Sequence, residues 1–154
     1  LLRSILGNKN TLLKKIIRKI FKKLRIDMVR PTSPDLHALV KRYAYEKTFQ
    51  VLSYNNTDSF VDTAKNAGSL SALQGDLKMA TKSDVVLYTN THIKSNEMPE
   101  IINELKSTCT QKLIFHTKNY DPKSTEQLLI DSGFETRERH IFPSEICFVC
   151  KVKD

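Results

Sequence analysis

The first strong pattern along the chain is amphipathic and lies near the N-terminus. In residues 11–26, TLLKKIIRKIFKKLRI, apolar side chains recur at the 3.6-residue spacing of an α-helix, and a lysine or arginine occupies almost every position between them. The spacing predicts a helix with one apolar stripe and a basic remainder. The apolar positions are Leu12, Leu13, Ile16, Ile17, Ile20, Phe21 and Leu24.

A proline-containing stretch, MVRPTSPDL, follows this helix. Pro31 and Pro34 disfavour helix at the residues before them, and the threonine or serine between them can cap a new helix from Pro34 to about Glu46. The stretch predicts a short hinge. We therefore expect an N-terminal helical appendage over residues 1–30 and a single domain over residues 31–154.

From Thr48 onward, strand-like and helix-like patterns alternate. β-branched and aromatic runs indicate strands, helical spacing indicates the helices between them, and Gly68 and Gly133 are natural helix ends. This alternation predicts a three-layer α/β sandwich with a mostly parallel sheet and a C-terminal antiparallel hairpin. The predicted strands are 48–54, 70–74, 83–90, 111–117, 134–142 and 145–152, and the predicted helices are 57–68, 97–109 and 122–133.

The positive charge of the chain is concentrated in its N-terminal part. The formal net charge is +8, but residues 1–26 hold nine Lys or Arg and no acidic residue, which leaves 16 basic (25 minus 9) against 17 acidic residues elsewhere. Nucleic-acid-binding proteins usually spread basic residues over the folded face that follows the phosphates. The nearly neutral body therefore argues against nucleic acid as a partner.

The composition also indicates in which cellular compartment the protein is located. No apolar run approaches the roughly 18 residues of a membrane span. Three cysteines are too few for a disulfide scaffold, which fits a reducing compartment, and lysines interrupt any secretory signal. We therefore expect a cytoplasmic protein, peripheral to a membrane if its first helix binds one. A mitochondrial presequence, which is also amphipathic and acid-poor, is the alternative for the leader.

Three partners suit the helix of residues 11–26. Most amphipathic helices pack against protein, here the folded body or another subunit of a homo-oligomer. A polar face made almost purely of lysine and arginine is typical of helices that lie on an anionic membrane surface. Nucleic acid is the third alternative. A packed helix would normally carry some acidic residues for i,i+4 pairs, and this one has none, so packing against protein and attachment to a membrane both stay open.

Chemistry is expected in the loops after the predicted strands, because ligands of parallel α/β sheets bind at the carboxyl ends of the strands. His92, in TNTH, follows one such strand and is a candidate general base near neutral pH. An ordinary surface histidine is the competing interpretation. Thr89 and Asn90 offer polar atoms at the same edge. The loops in question follow Tyr54, Gln74, Asn90 and Thr117.

The remaining histidines and cysteines form no recognised motif. His37, His116 and His140 lack HxH or HxxxH spacing with carboxylates, which argues against a metal site. Cys147 and Cys150 form a CxxC within an alternating strand, where residues three apart point to opposite faces, so we expect them to be packing residues. The sequence has no GxSxG, P-loop or HExxH motif of a hydrolase or nucleoside triphosphatase.

Residues 48–152 resemble the class I S-adenosylmethionine-dependent methyltransferases. The run FQVLSYNNTDSFVDTAKNAGSLSALQGDLKMATKSDVVLYTN is similar to that family's second strand, the next helix, the GD loop after its third strand, and its fourth strand. The C-terminal run STEQLLIDSGFETRERHIFPSEICFVCKV is similar to the family's ending, in which a GF turn leads into a closing β-hairpin. The resemblance implies a Rossmann-like fold. The leader LLKKIIRKIFKKLRIDMVR also resembles the basic leader of FkbM-type methyltransferases.

The resemblance further implies a site for S-adenosylmethionine. Asp76 of GDL would accept a hydrogen bond from the adenine amino group, with the Leu77 backbone nearby. Asn55 would accept hydrogen bonds from the ribose hydroxyls, and Asp58 could take that role instead. Asn90 is a further candidate contact to the cofactor. An exposed turn aspartate without a ligand is the competing interpretation of Asp76.

The chain departs from the family at its first strand and glycine-rich turn. The four glycines, at positions 7, 68, 75 and 133, form no GxG pair, and the segment from Asp35 to Lys47 has a helical pattern instead. Two functions follow as hypotheses. One is a divergent or truncated methyltransferase that acts on a small-molecule acceptor. The other is a catalytically inactive methyltransferase-like binding or scaffold module, held at a membrane surface by its first helix.

Overall fold

The structure is a computed structural model that describes residues 11–20, 22, 32–53 and 59–154. The chain divides into two units, Leu1–Pro31 and Thr32–Asp154. In the first unit, residues 11–20 form helix α1. Of the apolar positions predicted for this helix, Phe21 and Leu24 lie outside the described residues. None of the helices in the described ranges has the length and apolar character that a membrane crossing requires.

The described residues of the unit Thr32–Asp154 form a six-stranded sheet with four α-helices. The strands are β1 (Thr48–Ser53), β2 (Ser71–Gly75), β3 (Ser83–Asn90), β4 (Cys109–Lys118), β5 (Phe134–Ile141) and β6 (Glu145–Val152). The helices are α2 (Leu36–Tyr43), α3 (Ser59–Asn66), α4 (Met98–Thr108) and α5 (Pro122–Asp131).

The strand order is β2-β1-β3-β4-β6-β5. Strands β1 to β4 pair in parallel, and β6 pairs antiparallel with both β4 and β5. The predicted mostly parallel sheet with a closing antiparallel hairpin is therefore confirmed. The described residues between Thr32 and Lys47 form α2 and no strand, and β1 pairs directly with β3 through the register Val51 to Leu87.

Apolar side chains cover both faces of the sheet. Because side chains alternate along a strand, Val86 of β3 and Phe115 of β4 join one core cluster with residues of α4 and α5. Their neighbours Leu87 and Ile114 join a second cluster with residues of α2 and α3. Two helical layers thus sandwich the sheet, as the three-layer prediction requires.

Helix α2 differs in its ends from the predicted helix over 34–46. Its N-cap is Asp35, whose Oδ1 accepts a hydrogen bond from the Ala38 backbone N–H at 3.1 Å, rather than the predicted threonine or serine. The helix ends at Tyr43, three residues early, because the backbone turns away: Glu46 has a φ of +55°, and its N–H donates to the Gly68 carbonyl.

The two glycines predicted to end helices do so. Gly68 follows α3 with a φ of +90°, and Gly133 follows α5 with a φ of +97°. Both values lie in the left-handed region that favours glycine. The chain can therefore reverse into β2 and β5 directly after each helix.

The CxxC cysteines lie on opposite faces of β6. Cys147 belongs to the core on the α2 and α3 side, and Cys150 to the core on the α4 and α5 side. Burial raises the pKa of the Cys147 thiol and raises that of Cys150 to about 12. Both thiols are buried and free, so they act as packing residues rather than as a redox pair.

Candidate functional site

A cavity of about 430 Å³ opens at the carboxyl ends of β1, β2 and β3. Strand ends supply Leu52, Tyr88 and Asn90, and the loop after β2 supplies Asp76 and Leu77. Helix α4 closes the remaining side. The cavity lies where ligands of parallel α/β sheets bind, at the edge predicted from the sequence. Ser53, Lys78, Glu97, Glu100, Ile101 and Glu104 complete its lining.

A buried tyrosine forms part of the cavity wall. Tyr88 is only 5% exposed, and its ring stacks on Phe115 with centroids 5.5 Å apart and planes 12° from parallel. The Asn90 Nδ2 donates to the Tyr88 hydroxyl oxygen at 3.3 Å, while the Asn90 Oδ1 accepts from the His92 backbone N–H at 2.9 Å. These two bonds orient the Asn90 amide. Burial raises the pKa of Tyr88, so its hydroxyl stays protonated at neutral pH.

The loop after β2 presents an uncommitted carboxylate. Asp76 precedes a short 3₁₀ turn, Leu77–Met79, but its side chain makes no capping hydrogen bond to that turn. Leu77 packs against the core on the α4 side. The loop therefore combines an exposed acceptor with an apolar neighbour, which suits a ligand that has both polar and flat apolar parts.

Helix α4 contributes a stripe of acidic side chains. Glu100 and Glu104 are four residues apart and lie on one face of α4. Glu97 precedes them as the N-cap of the helix, and all three line the cavity. The Glu97 carboxylate accepts a hydrogen bond from the Lys94 backbone N–H at 3.4 Å. Together with Asp76 and the single Lys78, the lining carries a formal charge of −3 (one basic minus four acidic residues).

The structure brings together three of the predicted cofactor residues. Asp76, Leu77 and Asn90 all line the cavity. Asn55 and Asp58 lie outside the described residues, so their roles stay predictions. His92 is exposed in the loop after β3 and is absent from the cavity lining. Its backbone N–H donates a hydrogen bond to the Asn90 Oδ1. Its catalytic role also stays a prediction.

Sequence reasoning missed Tyr88 and the acidic stripe. Tyr88 looked like one more apolar residue of a buried strand, although it is two residues from Asn90 and therefore faces the same side. The three glutamates were overlooked because the net charge of the whole domain is close to zero, and that total does not show a local cluster of acidic residues. Their spacing within the predicted helix over 97–109 was the available signal.

A smaller cavity, of about 240 Å³, lies between the starts of α4 and α5. Met98 and Leu128 give it an apolar wall, and Tyr120 and Asp121 come from the loop after β4. The Tyr120 hydroxyl donates to the Ile93 carbonyl at 2.5 Å, which fixes the ring beside the loop after β3. The loop after β4, which contributes to this cavity, is another of the strand-end loops in which function was predicted.

A second polar group, around His116, lies on the other face of the sheet. The Thr89 Oγ1 and the His116 Nδ1 are 2.7 Å apart, and the His116 Nε2 lies 3.6 Å from a Glu145 oxygen. His116 is buried, and burial lowers the pKa of the imidazole by more than the neighbouring Glu145 raises it. The imidazole is therefore neutral at pH 7, and its contact with Glu145 is not an ion pair there.

We expect His116 to make the stability of the domain pH-dependent. In the unfolded chain its pKa returns to about 6.5, so the unfolded state binds the proton more readily than the folded state. The free energy of unfolding should fall as the pH drops from about 6.5 toward the lower pKa of the folded state. Urea denaturation at pH 5.5 and 7.5, compared with His116→Gln, measures this. An equal pH slope in the two proteins contradicts it.

In the described ranges, no group of three histidine, cysteine or carboxylate side chains converges as a metal site would require. The lining of the larger cavity combines hydrogen-bonding side chains, apolar side chains and carboxylates.

No family model matches the sequence, and a search of curated proteins gives no match. Solved structures do match. A ribosomal protein L11 methylase from Lactobacillus delbrueckii subsp. bulgaricus superposes with a TM-score of 0.63 at 14% identity, over 77% of this chain and 77% of that chain. Magnesium protoporphyrin IX methyltransferase from Synechocystis PCC 6803, with bound SAH, gives 0.60 at 13% identity, over 91% and 100%. These likenesses show that this chain has a Rossmann-like fold.

Proposed function

We propose that this protein binds S-adenosylmethionine in the larger cavity and transfers its methyl group to a small-molecule acceptor. One observation carries the proposal: Asp76, Leu77 and Asn90, which the sequence predicts as cofactor contacts, line one cavity at the carboxyl ends of the strands. The fold supports the proposal, because the similar solved structures include methyltransferases.

The lining fits the chemistry of the proposed cofactor. The Asp76 carboxylate can only accept hydrogen bonds, which suits the adenine amino group, and Leu77 and Ile101 offer apolar surface to a planar ring. Asn90 and the Tyr88 hydroxyl add polar atoms beside them. The bound cofactor would supply an electrophilic methyl group on a sulfonium. The chain's own contribution is to hold the cofactor and to exclude water from it.

The acceptor is proposed to occupy the smaller cavity. That cavity has an apolar wall at Met98 and Leu128, and polar atoms at Tyr120 and Asp121. The loop that carries His92 joins β3, at the larger cavity, to α4, which contributes to both cavities. His92 is the proposed general base, which would remove a proton from the acceptor nucleophile.

Isothermal titration with S-adenosylmethionine and S-adenosylhomocysteine tests this function. We expect saturable binding at micromolar to low millimolar ligand. If neither ligand binds at millimolar concentration, the methyltransferase proposal fails and a binding or scaffold module replaces it. That second function is favoured by one sequence feature, the lack of any GxG pair that would let backbone approach a cofactor closely.

We also propose that α1 holds the protein at an anionic membrane surface. Its apolar side chains are 43–61% exposed, from Ile17 to Leu12. Among the described residues of this segment, Lys14, Lys15, Arg18, Lys19 and Lys22 carry positive charge, and no side chain carries negative charge. An apolar stripe beside basic residues complements anionic lipid, where each such residue contributes about 1 kcal/mol.

Liposome flotation of the full chain tests this attachment. We expect recovery with vesicles that contain about 30% phosphatidylserine and little recovery with neutral vesicles, because the basic residues need anionic lipid. Ile16→Ser with Ile17→Ser should reduce the recovery. Ile141→Ser, at a comparably exposed isoleucine of β5, is the matched control. Equal recovery from neutral and anionic vesicles contradicts the proposal, and self-association without vesicle binding would identify a second copy as the partner.

A further inference from the structure

The larger cavity carries negative charge that the protein does not neutralise. Its lining has four carboxylates and one lysine, hence the formal charge of −3. In the described part of the chain, the carboxylates of Asp76, Glu100 and Glu104 have no ion-pair partner. Carboxylates gathered on one cavity repel one another, so a cationic ligand would relieve that repulsion.

The Tyr88 hydroxyl is a further polar group at this cavity. The side chain is about nineteen-twentieths buried, and its hydroxyl oxygen accepts one hydrogen bond, from Asn90. Within the described ranges, no acceptor takes the Tyr88 hydroxyl proton. Because Tyr88 lines the cavity, its hydroxyl can donate this hydrogen to an oxygen or nitrogen of a bound ligand.

Methyl transfer changes the charge of the proposed ligand by one unit. The bond between sulfur and the methyl carbon breaks, its electron pair stays on sulfur, and the carbon bonds to a lone pair of the acceptor. The positive charge leaves with the methylated acceptor or with the proton it releases. S-adenosylmethionine, with a sulfonium, an ammonium and a carboxylate, has a net charge of about +1, whereas S-adenosylhomocysteine has about zero.

We infer that the acidic lining, which includes Glu100 and Glu104, makes the cavity select its ligand by charge, so that it binds S-adenosylmethionine more tightly than S-adenosylhomocysteine. The inference rests on the proposed function. Three net charges at a distance of roughly 8 Å in a water-like medium favour a monocation by about fivefold to tenfold at low ionic strength. The demethylated product would therefore dissociate readily, and it would inhibit the next turnover only weakly.

Titration calorimetry of the full chain with three probes tests the inference. The probes are S-adenosylmethionine, S-adenosylhomocysteine and sinefungin, in which an amine carries the positive charge in place of the methylsulfonium. In about 20 mM salt, we expect both cationic probes to bind about fivefold to tenfold more tightly than S-adenosylhomocysteine. In about 500 mM salt, where screening acts over roughly 4 Å, the ratio should fall below about twofold.

A variant that lacks two of the carboxylates tests whether the acidic lining causes the difference in affinity between the probes. Glu100→Gln with Glu104→Gln keeps the shape of the stripe but removes two of the three net charges, so the ratio at low salt should fall to about twofold. Glu135→Gln, at an exposed glutamate of β5 outside the cavity lining, is the matched control and should leave the ratio unchanged. Circular dichroism confirms that each variant is folded.

The outcomes separate this inference from the function on which it rests. If S-adenosylhomocysteine binds as tightly as S-adenosylmethionine at low salt, or if the double variant keeps the full ratio, charge selection is wrong while cofactor binding stands. If sinefungin follows S-adenosylhomocysteine rather than S-adenosylmethionine, shape and not charge decides the affinity, and the inference fails. If none of the three probes binds, the proposed function fails, and the inference fails with it.

Discussion

Replacing Phe115 with alanine is expected to lower the free energy of unfolding by about 3–5 kcal/mol. The side chain is fully buried in β4, which pairs with β3 on one side and β6 on the other, and it belongs to the core on the α4 and α5 side. Neighbouring strands hold the surrounding backbone, so the space left by the ring cannot collapse fully. Domains of this size are usually stable by only about 5–15 kcal/mol, so the loss is a large fraction of the total.

Urea denaturation followed by circular dichroism measures the effect. Leu70→Ala is the control, because Leu70 is 70% exposed and its truncation should change stability by no more than about 0.5 kcal/mol. A loss below about 1 kcal/mol in the Phe115 variant would contradict the described core. Because Phe115 also stacks on Tyr88, a conservative Phe115→Leu variant that stays folded should weaken ligand binding at the cavity as well.

Replacing Asp76 with alanine is expected to weaken S-adenosylmethionine binding by about 1–3 kcal/mol, which is roughly 5- to 150-fold in affinity. The variant would leave the adenine amino group without its acceptor in the proposed complex. Stability should change little, because the Asp76 side chain makes no capping bond and is exposed. Binding and folding are therefore separable at this position.

Two further variants sharpen the test at Asp76. Asp76→Asn keeps a carbonyl acceptor at the same place, so it should lose less affinity than Asp76→Ala if the hydrogen bond matters. Asp131→Ala removes a carboxylate from α5, outside the cavity lining, and should leave the affinity unchanged. An unaltered dissociation constant in Asp76→Ala would remove this residue from the site.

The elements of the fold were predictable because their burial follows from local sequence. SDVVLYTN is apolar on both faces, and β3 covers residues 83–90 as predicted. The predicted strand over 111–117 is longer in the structure, Cys109–Lys118, because pairing with β3 begins at Cys109. Strand order was not specified by sequence. The order depends on which strand edges pair, and that pairing is decided by contacts between residues that are far apart in the sequence.

The site was predictable only in its strand-end residues. Asp76 follows one predicted strand and Asn90 is the last residue of another, so the carboxyl-edge rule placed them together. The contribution of α4 depends on how that helix packs across the sheet, which its spacing alone does not specify. The contact between Thr89 and His116 likewise depends on the register of β3 against β4, which pairs these two residues.

The position of β6 has a consequence for biosynthesis. Strand β6 follows β5 along the chain but lies between β4 and β5 in the sheet. While the ribosome is still making β6, strand β5 has no neighbour to pair with, and β4 presents a row of unpaired N–H and C=O groups. Such an edge can pair with other chains. The nascent domain therefore depends on the rapid arrival of its last strand to remain free of intermolecular β-pairing.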